Sequence, residues 1–259
     1  MDETVGESRF WRPLWQRYSA SPSVALCRVP ELEYASSLEV KGDVLDHCCG
    51  DGWFASLAWP GRTLAAGCDL DEFSIQGAGK RGIYARVDRC DAGKRLPYAE
   101  GSFDLTFNNS GLEHIAELDA ALAEVARVTR RGGIFAFNVL NHRYFEWWPL
   151  DQSSRDAYRE WQPFYHALTI AEWKARLEVA GFALQGVRGY FCEEAARLLA
   201  LLDCEFSGYL MRRRKSALVS RYRSWPGIHC FLWRRKISGL PWRTEPDAGA
   251  GYFITAVRT

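Results

Sequence analysis

At 259 residues, with 47% hydrophobic and 25% charged residues, the chain has the size and balance of a folded globular protein, which excludes extensive disorder. A formal net charge of +1 gives no general pull toward nucleic acid, although the charges between Glu205 and Glu245 are nearly all Arg or Lys. No apolar run approaches the roughly 18 residues of a membrane span, and Met1 to Ser8 lacks the pattern of a signal peptide, so a cytoplasmic location is expected.

In chain order, Phe10, Trp11, Leu14, Trp15 and Tyr18 recur near one helical turn and predict a helical cap over residues 1–40. Asp43 to Asp46 reads as a strand that stops at a Gly-containing turn before the helix carrying Trp53, Phe54, Leu57 and Ala58. Further strands are predicted at Thr63 to Cys68, Gly82 to Val87, Ser102 to Asn108 and Gly133 to Leu140, with a helix at Leu118 to Val128. This alternation indicates βαβ units and an α/β fold with a mainly parallel sheet covered by helices on both faces. Asn141 to Pro149 is aromatic and irregular, so 141–168 is a candidate lid outside the core. A helix over Thr169 to Ala180, stopped by Gly181, and two last strands, Phe182 to Tyr190 and Gly251 to Val257, complete the pass. The last two are separated by a basic aromatic insertion at 193–250.

The eight cysteines, Cys27, Cys48, Cys49, Cys68, Cys90, Cys192, Cys204 and Cys230, lack CxxC spacing, which argues against zinc and a disulfide framework. They read as reduced thiols, mostly small core residues. No metal site is expected.

The strongest local signal is Val44 to Gly52, which leaves a strand and enters a helix. Glycines there let the backbone approach a ligand, and the amide groups opening the helix are unsatisfied. The next strand ends in Asp69, close to the offset of about 20 residues at which a carboxylate meets ribose hydroxyls.

Leu45-Asp46-His47-Cys48-Cys49-Gly50-Asp51-Gly52 resembles the first motif, LDxGCGxG, of the class I S-adenosylmethionine-dependent methyltransferases. The resemblance continues through Gly67-Cys68-Asp69-Leu70-Asp71, Arg89-Cys90-Asp91-Ala92, and Leu96-Pro97-Tyr98 with Ser102-Phe103-Asp104-Leu105. It ends with Asn109 to Ile115, similar to the family's S-x-x-LEH turn, and Glu124 to Gly133, similar to its E-x-x-R segment. These ordered blocks imply a Rossmann-like, seven-stranded, mostly parallel sheet, a methyltransferase domain over 41–259, and S-adenosylmethionine as cofactor with S-adenosylhomocysteine as product.

The resemblance also implies roles. Asp46 would orient the turn and help hold the methionine ammonium, Gly50 and Gly52 would admit the cofactor, and Asp69 would accept from the ribose. Asp91 would receive the adenine amino group, with Leu70 and Ala92 against the ring. Asn108 or Asn109 would border the transferable methyl. Two positions depart from the family pattern: Cys48 replaces a glycine, so a negative φ and an altered loop are expected, and Arg131 replaces a proline.

His142 and His166 are the candidate catalytic bases, since imidazole titrates near neutral pH. His114 reads as a brace for its turn. Tyr144, Phe145, Trp147, Trp148, Trp161, Phe164 and Tyr165 suggest an aromatic substrate wall. The expected activity is O-methylation of a small aromatic, glycan or lipid-linked acceptor. The residues also leave open an RNA methyltransferase or binder, and a non-catalytic cofactor-binding partner. Met211 to Lys215, Arg221, Arg223 and Arg234 to Lys236, interleaved with Tyr209, Tyr222, Trp225, Phe231, Trp233 and Trp242, fit a solvated face or peripheral contact with the inner membrane face through 205–245.

Overall fold

The chain forms, in order, α1 (Trp11–Tyr18), α2 (Pro22–Ser36), β1 (Val44–His47), α3 (Trp53–Ala58), β2 (Ala66–Asp69), α4 (Glu72–Arg81) and β3 (Val87–Arg89). There follow β4 (Phe103–Asn109), α5 (Leu118–Val128), β5 (Thr129–Leu140), α6 (His142–Glu146), α7 (Gln152–Trp161), α8 (Ile170–Ala180) and β6 (Phe182–Tyr190). The last are α9 (Glu193–Leu210), α10 (Ala217–Ser224), α11 (Pro226–Ser238), β7 (Arg243–Thr244) and β8 (Gly251–Arg258). The computed structural model describes residues 3–210, 217–224 and 226–259. The run Met211 to Lys215 and Trp225, singled out in the sequence, lie outside the described residues, as do the side chains of Trp161, Tyr209 and Arg223. No helix among the described residues is long and apolar enough to cross a membrane.

The strands join in the order β3-β2-β1-β4-β5-β8-β6-β7. This is the expected α/β sheet with one strand more than the seven predicted, because β7 has only two residues and leaves no periodicity to read. The chain divides into two compact units.

One unit comprises residues 34–141, 164–188 and 252–259. Here β1 runs parallel to β2 and β4, β2 to β3, and β4 to β5. All four residues of β1 are buried, as a strand covered on both faces demands. The chain steps outward from β1 to β3 and then returns to lay β4 on the other side of β1, so the strand order reverses there. Such a reversal opens a crevice beyond the carboxyl ends of the strands.

Helix α5 presents Leu118, Leu122 and Val125 to a core shared with Phe135, Phe137, Trp173 and Phe182. A Thr169–Glu172 capping box starts α8, and Gly181, at φ +87°, ends it. The E-x-x-R segment is a clamp: Glu124 accepts from Leu96 N at 2.9 Å, while Arg127 donates to the carbonyls of Tyr98 at 2.8 Å and Leu96 at 3.0 Å. It fixes the loop that follows Asp91. Arg131 donates to the carbonyl of Thr259 at 3.1 Å in a strand that begins at Thr129, earlier than the predicted Gly133. The strand predicted at Gly82 to Val87 is β3, at Val87–Arg89; the residues before it make only an isolated Leu64–Tyr84 bridge.

The other unit comprises residues 1–33, 142–163 and 189–251. Thr4 bridges Pro241, and Val5 N donates to Leu240 O at 2.8 Å. β7 pairs antiparallel with Gly189 and Tyr190. The segment expected to be irregular forms α6 and α7, and Tyr144, Trp148 and Tyr158 are buried edge to face, with centroids 5.6 and 5.0 Å apart. For Tyr144 and Trp148 the expected substrate wall is therefore corrected to core packing, because rings locked edge to face offer no free surface. Tyr158 and Ser23 both donate to Asp203 of α9, satisfying that carboxylate.

Candidate functional site

Asp46 is the third residue of β1, with only 3% of its surface exposed. Tyr84 Oη donates to its Oδ2 at 2.6 Å. Burial pushes the Asp46 carboxyl up to about 7, and the Tyr84 hydrogen bond pulls against that rise. The Tyr84 ring also fills the space beside two glycines: a Cβ on Gly52 would sit 2.8 Å from it, and one on Gly67 2.9 Å. Tyr84 was missed in the sequence, where it read as one residue of a strand. The small residues at 52 and 67 were the available signal.

The turn after β1 places Cys48 at φ +62°, Gly50 at +55° and Gly52 at +73°. The expected negative φ at Cys48 is thus corrected: the cysteine bears the strain of a left-handed conformation. Gly111 makes this possible, since a Cβ there would lie 2.9 Å from Cys48 Cβ. Cys49 N donates to Cys68 O at 2.9 Å, and Arg81 donates to Asp51 O at 2.8 Å, tying the turn to β2 and α4. Burial pushes the thiols of Cys48 and Cys49 up, so both stay protonated and unreactive.

Asp69, at the end of β2, accepts from Gly50 N at 2.9 Å and from Asp71 N at 3.0 Å. Leu70 follows with 59% of its surface exposed. Asp91 accepts from Gly93 N at 2.9 Å and pairs with Lys94 at 3.3 Å, with half-buried Ala92 between. Parallel pairing of Asp69 with Arg89 brings the β2 and β3 ends together, and Cys90 N donates to Asp69 O at 2.9 Å.

Across the switch point, His47 and Asn108 are register partners and both are fully buried. Asn108 Nδ2 lies 3.0 Å from both His47 Nδ1 and His47 O, and its Oδ1 accepts from Gly111 N at 3.1 Å. The Asn108 side chain is therefore spent on closing β1 against the turn after β4. Asn109 accepts from Asn138 at 2.8 Å. With Nδ1 accepting, His47 carries its proton on Nε2, and that buried nitrogen has no partner among the described residues. Burial pushes the imidazole down to about 4, which keeps it neutral. No local signal singles out His47, whose position in the motif admits any residue.

His166 Nε2 lies 2.9 Å from Ile115 O, so that nitrogen donates to the carbonyl. His114 packs at a tilt against Phe164, with ring centroids 4.7 Å apart. His142 starts α6 and belongs to the other compact unit.

These residues fit a nucleotide-like cofactor. The Cβ position of Gly50 faces open space, so its left-handed φ, rather than crowding, demands glycine, and the backbone there is approachable. Carboxylates at 46, 69 and 91 lie at or just beyond the carboxyl-end residues of three adjacent strands, and apolar Leu70 stands exposed between two of them in sequence. Cationic, hydroxyl and amino groups of one ligand match this order of acceptors.

Residues 45–137 match the family model described as a methyltransferase domain. A Mycolicibacterium smegmatis protein named "probable S-adenosylmethionine-dependent methyltransferase" is 31% identical over 180 residues, covering 69% of this chain and 65% of that protein. A malonyl-[acyl-carrier protein] O-methyltransferase of Erwinia pyrifoliae is 34% identical over 97 residues, covering 38% of this chain and 37% of that protein. The chain thus spans less than two thirds of the length of these relatives. A solved S-adenosylmethionine-dependent methyltransferase from Thermotoga maritima has the same fold, with a TM-score of 0.61 at 16% identity over 97% of this chain and 98% of that one.

Proposed function

Since this chain carries the methyltransferase domain of the class I S-adenosylmethionine-dependent family, we propose that it binds S-adenosylmethionine over the β1–α3 turn and methylates an oxygen of a small aromatic, glycan or lipid-linked acceptor. The observation that carries this reading is the Asp69 carboxylate, held by Gly50 N and Asp71 N beside the open face of the glycine turn.

When bound, the cofactor supplies an electrophilic sulfonium methyl, whose transfer needs proximity and in-line alignment above all. Asp69 accepts from the ribose hydroxyls, and Asp91 from the adenine amino group. Leu70 and Ala92 cover the ring, keeping water from it. Asp46 meets the methionine ammonium; a cation there favours its ionised form and offsets the cost of its burial. Gly50 and Gly52 keep the backbone free of side chains, and the buried His47–Asn108 pair holds the turn in register with the β4 end. His166 Nδ1 takes the proton released by an acceptor hydroxyl; His142 is the second candidate. The O-directed reading draws support from the Erwinia relative's name.

Calorimetry with S-adenosylmethionine and S-adenosylhomocysteine tests the cofactor half. Micromolar binding that weakens by about ten- to a hundredfold in Asp69→Ala is expected, the range of a lost hydrogen bond to a charged group. No binding by the intact chain overturns it. The acceptor half is tested with methyl-labelled cofactor against hydroxylated metabolites and lipid fractions, and label found only in RNA overturns that half.

A further inference from the structure

Between Glu205 and Glu245 the sequence holds ten basic residues, Arg212, Arg213, Arg214, Lys215, Arg221, Arg223, Arg234, Arg235, Lys236 and Arg243, and no Asp or Glu. The whole chain carries a net charge of only +1, so the remainder is acidic on balance. Helix α11 occupies the centre of this stretch.

Its described side chains divide by direction. Ile228 is 59% exposed, Phe231 62% and Leu232 53%, whereas Ile237 is fully buried. At roughly 100° per residue, Ile228, Phe231, Leu232 and Arg235 fall within about 100° of arc, opposite Ile237. Arg234 and Lys236 flank that arc, both exposed, and Lys236 lies over the Trp233 ring at 5.6 Å. Among the described residues, the remaining large exposed hydrophobics, Leu70, Phe73, Tyr165 and Val179, lie in the other unit. A helix anchored by its inner face, with an outer face of three large apolar side chains edged by cations, has no reason to exist as a merely solvated surface. A solvated helix carries its charges outward and its apolar residues inward.

We propose that α11 is a docking surface for an anionic phospholipid membrane, lying in the interface plane with Ile228, Phe231 and Leu232 inserted at the headgroup boundary. Charge complementarity selects this occupant. Arg234 and Lys236 flank the apolar arc and Arg235 continues it at the end of the helix, where their long side chains reach lipid phosphates, and the acid-free stretch around them removes any repulsion. The surface goes beyond the methyl-transfer reading and does not depend on it, so its test needs no cofactor and its failure leaves that reading untouched.

The test is flotation of the full chain with vesicles of phosphatidylcholine alone and of phosphatidylcholine mixed with phosphatidylglycerol, at low and high salt. Flotation with the anionic vesicles only, weakened by salt, is expected. The charge-reversed Arg234→Glu/Arg235→Glu/Lys236→Glu chain should bind at least about a hundredfold more weakly, at about fivefold per cation. Phe231→Ser/Leu232→Ser should lose at least about tenfold while keeping its charge. Lys41→Glu, on an exposed loop of the other unit, should bind as the parent does. Circular dichroism checks that each variant is folded. The proposal is overturned if neither vesicle floats the protein or if the two α11 variants bind as well as the parent. It is equally overturned if these residues instead drive self-association in sedimentation, or retention of RNA without vesicle binding.

Discussion

Tyr84 Oη donates to Asp46 Oδ2 at 2.6 Å, and the same ring packs against the positions where Gly52 and Gly67 lack side chains. One residue outside every motif thus opposes the burial-driven rise of the turn's acid and fills the space beside its glycines. Tyr84→Phe keeps the packing and removes the hydroxyl. At pH 8, where Asp46 is mostly ionised, the variant should lose about 1.5–3 kcal/mol of stability, and at pH 5, where Asp46 is protonated, about 1 kcal/mol. Urea unfolding at the two pH values measures this, and equal losses at both would contradict it.

Asp46 and His47 are adjacent, buried and shifted in opposite directions, and their effects on stability oppose each other. Asp46 rises to about 7 in the folded chain, so the native state holds the extra proton between pH 4 and 7 and stability falls as pH rises through that window, by about 4 kcal/mol in all. His47 falls to about 4, so the unfolded chain holds the extra proton between pH 4 and 6.5 and stability rises with pH there, by about 3 kcal/mol. The stability of the parent minus that of Asp46→Asn should therefore decrease with pH, and that of the parent minus His47→Gln should increase. Denaturant titrations across pH 4 to 8 read both slopes.

The left-handed Cys48 makes a simple exchange informative. Cys48→Gly should relieve about 1–2 kcal/mol of backbone strain against a loss of similar size from unfolded-state entropy and packing, leaving stability within about 1 kcal/mol of the parent and cofactor affinity unchanged. Gly111→Ala should do the reverse, because its methyl would collide with Cys48 Cβ and Sγ, costing about 1–3 kcal/mol and weakening cofactor binding. Melting temperature and calorimetry together separate the two cases.

Trp173 of α8 is buried against Phe137 of β5, with ring centroids 4.9 Å apart. Trp173→Ala should cost about 3–5 kcal/mol in chemical denaturation with little change in slope, the range for emptying a large aromatic site. A loss below about 1 kcal/mol would mean that this core collapses around the gap.

The sequence alone determined the elements whose signals are local. Helix α5 is Leu118–Val128 as predicted, because its apolar residues keep helical spacing, and α8 starts and stops at Thr169 and Gly181, whose capping chemistry acts within one turn. The acids at 46, 69 and 91 were legible because each falls within two residues of the end of a strand in a repeated unit. Tertiary structure decided what depends on contacts between distant residues. Tyr84 meets Asp46 across 38 positions and Asn108 meets His47 across 61, and neither separation leaves a periodicity in the chain. The aromatic segment after Leu140 looked irregular because its partners are elsewhere: Tyr158 is held by Asp203 of α9, and the compact unit it joins is assembled from three separate stretches of sequence. Local propensity acts over a few residues, whereas burial and hydrogen-bond satisfaction are settled only when the whole chain has closed.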